Sequence, residues 1–186
     1  MPASVIPVTG IKLGFVGNIS NEGYSLRTAR QVKPTDTKSI AFGETFVLNT
    51  DNTYSSVAQF IANGGTMTAS VAMGIAVSNV NINPTYSATG SNDVLTPGGV
   101  YLPGDIMDGL VQGTINVSCN NGTPTAGGTV YIRVALNGAI PNGVVGGLEA
   151  VADGANTVAL TNLKWKTGFL ETDLTAQVTI LARTIA

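Results

Sequence analysis

Histidine is absent from the 186 residues of this sequence, and its absence limits the chemistry the chain can carry. It removes the commonest general base, the commonest metal ligand and every Ser-His or Cys-His nucleophile pair. One cysteine, Cys119, can neither close an internal disulfide nor build a structural zinc site. It falls on the apolar face of an alternating run and reads as a buried, inert thiol. Asp105 and Asp108 would suit half of a calcium site or a glycosidase-like pair. Both uses need more ligands or a defined cleft, so the expectation is a solvated turn entering a strand at Leu110. Glu171 and Asp173 read the same way. Gly143-Val-Val-Gly146-Gly147 looks like a phosphate loop only on the surface, because no Gly-Lys-Ser/Thr and no βαβ pattern accompany it. Trp165 could stack on a sugar, but between Lys164 and Lys166 it reads as a core or interface aromatic flanked by outward lysines. No catalytic residue, metal or cofactor is expected.

The elements that would position these side chains are strands. Val111, Gly113, Ile115, Val117 and Cys119 share one face of a run whose other face is Gln112, Thr114, Asn116 and Ser118. Val130, Ile132, Val134 and Leu136 alternate with Tyr131, Arg133 and Ala135. Ala176, Val178, Ile180 and Ala182 alternate with Gln177, Thr179, Leu181 and Arg183. Further strands are expected over 11–16, 25–32, 45–48, 70–77 and 158–165. Asn63-Gly64-Gly65, Thr96-Pro97-Gly98-Gly99, Asn121-Gly122, Asn137-Gly138 and Asp153-Gly154 supply turn chemistry between strands. Residues 55–62 have the spacing of a short helix through Val57, Phe60 and Ile61, and fit a strand equally well. Residues 83–99 form a polar, Ser/Thr/Gly/Pro-rich loop. The pattern predicts an all-β fold, a jelly-roll or β-barrel/sandwich, with an extended N-terminal segment over 1–38 and a body over 39–186.

Only 11% of residues are charged, against roughly 25% in ordinary soluble domains. A free monomer of this kind has weak colloidal protection, so much of its surface is expected to be covered by copies or partners. The charges are segregated. Lys12, Arg27, Arg30, Lys33 and Lys38 crowd the N-terminal segment, whereas no Lys or Arg occurs from Ser39 to Val130. A basic segment ahead of an acidic body can steer docking onto an acidic surface. Slight net negative charge argues against a nucleic-acid partner. No run of about 18 apolar residues suggests a membrane span, and the Met1-Pro2-Ala3 start has no leader pattern, so synthesis in a cytoplasm is expected.

Five stretches together resemble, in order and rough spacing, the structural cement (head decoration) proteins of tailed bacteriophages. They are Ile40-Ala-Phe-Gly43 leading into Phe46-Val-Leu48; Met73-Gly-Ile-Ala-Val77; and Tyr101-Leu-Pro-Gly-Asp105 through Gly113-Thr-Ile-Asn-Val117. Then come Gly127-Gly-Thr-Val-Tyr-Ile-Arg133, and Leu163-Lys-Trp-Lys-Thr-Gly168 followed by Ala176-Gln-Val-Thr-Ile180. The resemblance runs from about residue 24 to the C-terminus. It implies a non-enzymatic jelly-roll or barrel on the outer surface of an expanded head, bridging subunits of the major capsid protein and partnering itself as a homodimer or homotrimer. Arg27, Arg30, Lys33 and Lys38 are the candidate capsid or inter-subunit contact. The competing readings are another virion structural protein (a tail tube or head fibre base) and a carbohydrate-binding adhesin module. The first predicts rings or helices of copies. The second needs an exposed aromatic cluster that scattered Tyr and one Trp do not provide.

Overall fold

The computed structural model describes residues 15–78, 99–170 and 174–182. Lys12, Asp93, Glu171, Asp173, nearly all of the expected strand over 11–16, and residues 83–98 of the expected loop lie outside them. The described strands are β1 (Ile19–Gln31), β2 (Ile40–Ala41), β3 (Thr45–Leu48), β4 (Tyr54–Ser56), β5 (Ala72–Ala76), β6 (Val100–Tyr101), β7 (Ile106–Ser118), β8 (Thr129–Arg133), β9 (Leu148–Glu149), β10 (Thr157–Phe169) and β11 (Thr175–Ile180). One short helix, α1 (Val57–Ala62), follows β4 directly. Residues 55–62 are therefore strand first and helix second. The switch comes at Ser56, whose hydroxyl accepts the Gln59 backbone N–H at 3.2 Å and caps the first turn.

Nine strands form one antiparallel sheet in the order β4-β3-β5-β7-β11-β10-β8-β9, and β1 lies along the other edge of β7. Leu110 is thus flanked by Arg27 and Ile75, and Ile115 by Ile19 and Val178. The sheet curls on both sides of β7. A parallel bridge between Val32 and Tyr54 brings β4 back to the end of β1, and one between Cys119 and Leu148 brings β9 back to the end of β7. The result is the expected all-β architecture, built as two part-closed barrels that share a strand. The small β2–β6 pair stands apart from the main sheet.

Each side has its own core. Val32, Ile40, Phe46, Tyr54, Met73, Ala76, Tyr101, Met107 and Val111 fill the first. Ile115, Val117, Val130, Ile132, Leu160, Leu163, Trp165, Val178 and their neighbours fill the second, together with Val47, Ile75 and Leu110 from the back of the first barrel. Val111 and Ile115, in step by sequence, therefore belong to different cores. Gly113 lies between them at φ +129°, where a side chain is strained, and the strand changes face there. Two further expectations change. β7 begins at Ile106, so Asp108 sits in the strand opposite Ala29 and only Asp105 belongs to the turn. β8 ends at Arg133, so Leu136 leaves the alternation and is 72% exposed.

Candidate functional site

Of the four basic residues singled out, Arg27 and Arg30 stand on β1 opposite Leu110 and Met107. Three positions apart on a strand, they leave opposite faces. Arg30 reaches the β3–β4 turn, where its Nη1 donates to the Asn52 carbonyl at 3.4 Å. Lys33 follows the Val32–Tyr54 bridge and pairs with Asp51 of the same turn at 3.1 Å. That turn is well made: Asn52 adopts φ 64°, and Asp51 accepts both the backbone N–H and the hydroxyl of Thr53. These Thr53 bonds, with Lys33 behind them, hold the Asp51 carboxyl down at about 2. Lys38 is exposed, and its charge opposes the upward push that burial gives Glu44. Arg30 and Lys33 thus converge on one turn, while Arg27 and Lys38 lie to either side of them.

Of the carboxylates considered for chemistry, the described pair is divided between a turn (Asp105) and a strand (Asp108). Asp105 accepts the Leu102 backbone N–H at 2.7 Å and closes the turn into β7. Among the described residues no three His, Cys, Asp or Glu side chains converge as a metal site would require. Cys119 is buried, and burial pushes its thiol upward from the ordinary value. Trp165 is a core residue, 1% exposed. Tyr101 is buried with its hydroxyl donated to the Val77 carbonyl at 2.6 Å, and burial raises it to about 12.

A second charged constellation was not singled out by sequence. Arg133 is 0% exposed and forks onto Glu149, also 0% exposed, through both Nε and Nη2. Its Nη1 reaches Asp153 at 2.9 Å and the Ala135 carbonyl at 3.0 Å. Asn137 and Asn156 also donate to Asp153, and the Asn137 bonds, ahead of Arg133, hold that carboxyl below its ordinary range. Gly143 packs on the guanidinium with no room for a Cβ, and the Gly146 N–H donates to the Arg133 carbonyl. The loop over 134–147 is therefore wrapped around one buried cation. The signal was present in the sequence: Arg133 is the sole cation between Lys38 and Lys164, and Glu149 and Asp153 are the sole acids between Asp108 and Glu171.

A further, half-buried acid joins this loop to the first barrel. Glu44, in the β2–β3 connection, accepts the Ala41 N–H at 2.8 Å and lies against Gly146. Burial raises its carboxyl to about 7.

The family described as XM1 gp53 minor capsid protein matches residues 5–177. A chain in the solved capsid of Myoviridae phage XM1 has a similar fold, with TM-score 0.60 and 14% identity over 100% of both chains. No curated protein sequence matches.

Proposed function

This chain belongs to the XM1 gp53 minor capsid protein family, and from that premise we propose that it is a capsid cement protein. In this reading it binds the outer surface of an expanded phage head and bridges subunits of the major capsid protein, without catalysis. The observation that carries the reading is the family match over residues 5–177. Composition supports it: a cement protein needs shape, contacts of low charge and many copies, and only 11% of this chain is charged. Modest affinity at each contact is multiplied by placement on a symmetric lattice, and binding only the expanded shell stabilises that state by mass action.

Arg27, Arg30, Lys33 and Lys38 are the proposed shell contact. They stand along β1 and the segment after it, with Arg30 and Lys33 together on the Asn52 turn, on a chain whose body is acidic, and this excess of positive charge would steer the protein onto an acidic shell surface. The test mixes the purified chain with undecorated expanded heads and images them. Regular density on the outside of the shell is expected, weakening as salt rises. Heads that stay bare at high protein concentration would overturn the reading, as would helical or ring-shaped self-assembly without head binding.

A further inference from the structure

The chain contains Asn63-Gly64, Asn121-Gly122, Asn137-Gly138 and Asn142-Gly143, and every such pair carries a latent reaction. The main-chain nitrogen of the glycine, unshielded by a side chain, attacks the asparagine Cγ. The new N–Cγ bond closes a succinimide ring, the Cγ–Nδ2 bond breaks, and Nδ2 leaves as ammonia with the proton lost from the glycine nitrogen. Water then opens the ring at either carbonyl and leaves aspartate or isoaspartate, releasing a proton. Water is the only co-reactant.

The structure separates the four pairs by what holds the attacking nitrogen and the side chain. The Gly64 N–H donates to the Ile61 carbonyl at 2.9 Å, and the Asn63 Oδ1 accepts from the Gln59 amide at 3.0 Å. The Gly143 N–H donates to the Ile140 carbonyl at 3.0 Å, and this glycine is wedged on the Arg133 guanidinium. Asn137 is fastened by its side chain: Nδ2 donates to both Asp153 oxygens at 3.0 Å, and Oδ1 accepts the Ala139 N–H at 3.0 Å. Asn121 differs from all three. Among the described residues the Gly122 N–H has no hydrogen-bond partner, and the Asn121 side chain makes one long hydrogen bond, to Glu149 at 3.3 Å. The fold also requires glycine next to it. Gly122 stands at φ +78°, and a Cβ there would lie 2.4 Å from Val151. A hydrogen bond of ordinary net strength that must break before attack slows the reaction by about 2- to 10-fold, so the least restrained pair reacts first.

The position of this pair gives the reaction a consequence. Asn121 follows the Cys119–Leu148 bridge that brings β9 back to the end of β7. The Asn120 N–H donates to the Leu148 carbonyl at 2.9 Å, and the Ala150 N–H donates to the Asn121 carbonyl at 2.8 Å. Isoaspartate reroutes the main chain through Cβ and Cγ between these two bonds. Either product also loses the amide that donated to Glu149 and gains a carboxylate beside that acid, which is 0% exposed. Like charges so placed oppose each other.

We propose that Asn121-Gly122 is the foremost site of spontaneous deamidation in this chain, and that the modification loosens the seam between the end of β7 and β9. The proposal holds whatever the protein binds, and it is tested on the purified full chain. The chain is aged at mildly alkaline pH below its melting temperature, and fragments that resolve the four pairs are followed by mass spectrometry for the exchange of NH2 for OH. Asn121 is expected to convert first, about 2- to 10-fold ahead of Asn142 and further ahead of Asn63 and Asn137. Chain converted at Asn121 should unfold at lower urea than fresh chain, read by Trp165 emission. Asn121→Asp should unfold at lower urea than Asn121→Ser, and that difference should vanish in the Arg133→Met/Glu149→Leu background. Conversion of Asn121 no faster than that of the other three pairs would overturn the site. A converted chain with an unchanged midpoint, or an Asn121→Asp variant no less stable than Asn121→Ser, would overturn its effect on the seam.

Discussion

Replacing Arg133 with methionine should be among the most damaging single substitutions in this protein. Methionine follows the arginine stem but leaves the Glu149 carboxylate, 0% exposed, without its two guanidinium bonds. One contact remains, from Asn121 at 3.3 Å, which is long for a charge-assisted bond. Asp153 fares better, since it is partly exposed and keeps Asn137 and Asn156. The cost is therefore dominated by Glu149, and removing one partner of such a buried pair typically costs about 3–5 kcal/mol. In a chain of this length each kcal/mol lowers the melting temperature by roughly 2–4 °C, so a fall of about 6–20 °C is expected. The double variant Arg133→Met/Glu149→Leu removes both charges together. It should recover at least about 2 kcal/mol relative to the single variant, because no uncompensated carboxylate remains in the core. Urea titration followed by Trp165 emission measures both quantities, since the single tryptophan is buried in the second core. A loss below about 1 kcal/mol for Arg133→Met, or a double variant whose loss equals the sum of the two singles, would refute the reasoning.

Three other outcomes are expected. The Glu44 carboxyl is raised from 4.5 to about 7 in the folded chain, so its contribution to stability is complete below pH 4.5 and is lost as pH rises through 7. Wild type should accordingly lose up to about 3 kcal/mol from this group between pH 5 and 8, and Glu44→Gln should remove most of that loss in urea midpoints at the two pH values. Gly109→Ala places a methyl group against the Phe46 ring in the first core and should cost about 1–3 kcal/mol in the same titration, with β7 still formed by circular dichroism. Lys33→Ala removes a surface ion pair with Asp51, and should change stability by less than about 1 kcal/mol while weakening binding to expanded heads.

Much of the fold could be read from the sequence because its long strands obey a period of two. The alternation through Val130 and Ile132, and through Val178 and Ile180, marks residues that pack into the second core. Cys119 and Trp165 are buried as their flanking patterns imply. The pattern fails where geometry depends on a distant segment. Gly113 inverts the face of β7 because the strand serves one core before it and another after it, and alternation alone does not reveal a second core. Arg133 stands opposite Val130 and Ile132, on a face that a sheet edge would normally leave to solvent. It is buried because the loop over 134–147 folds back across it, and nothing in the β8 sequence announces that cover. The basic residues were legible as a group. Their division into a pair on the Asn52 turn and two outliers follows from strand direction and from a bridge that joins residues 32 and 54.

The place of β11 has a consequence for how the protein is made. This strand is the last described element in sequence order, yet it lies between β7 and β10 and joins the two halves of the sheet. Until residues 175–180 have left the ribosome, β7 lacks that neighbour along 113–118 and the second barrel stays open along one seam. That seam therefore closes only after residue 180 has been made. A nascent chain that has not reached β11 lacks Ala176, Val178 and Ile180 in the second core and leaves β7 and β10 unjoined.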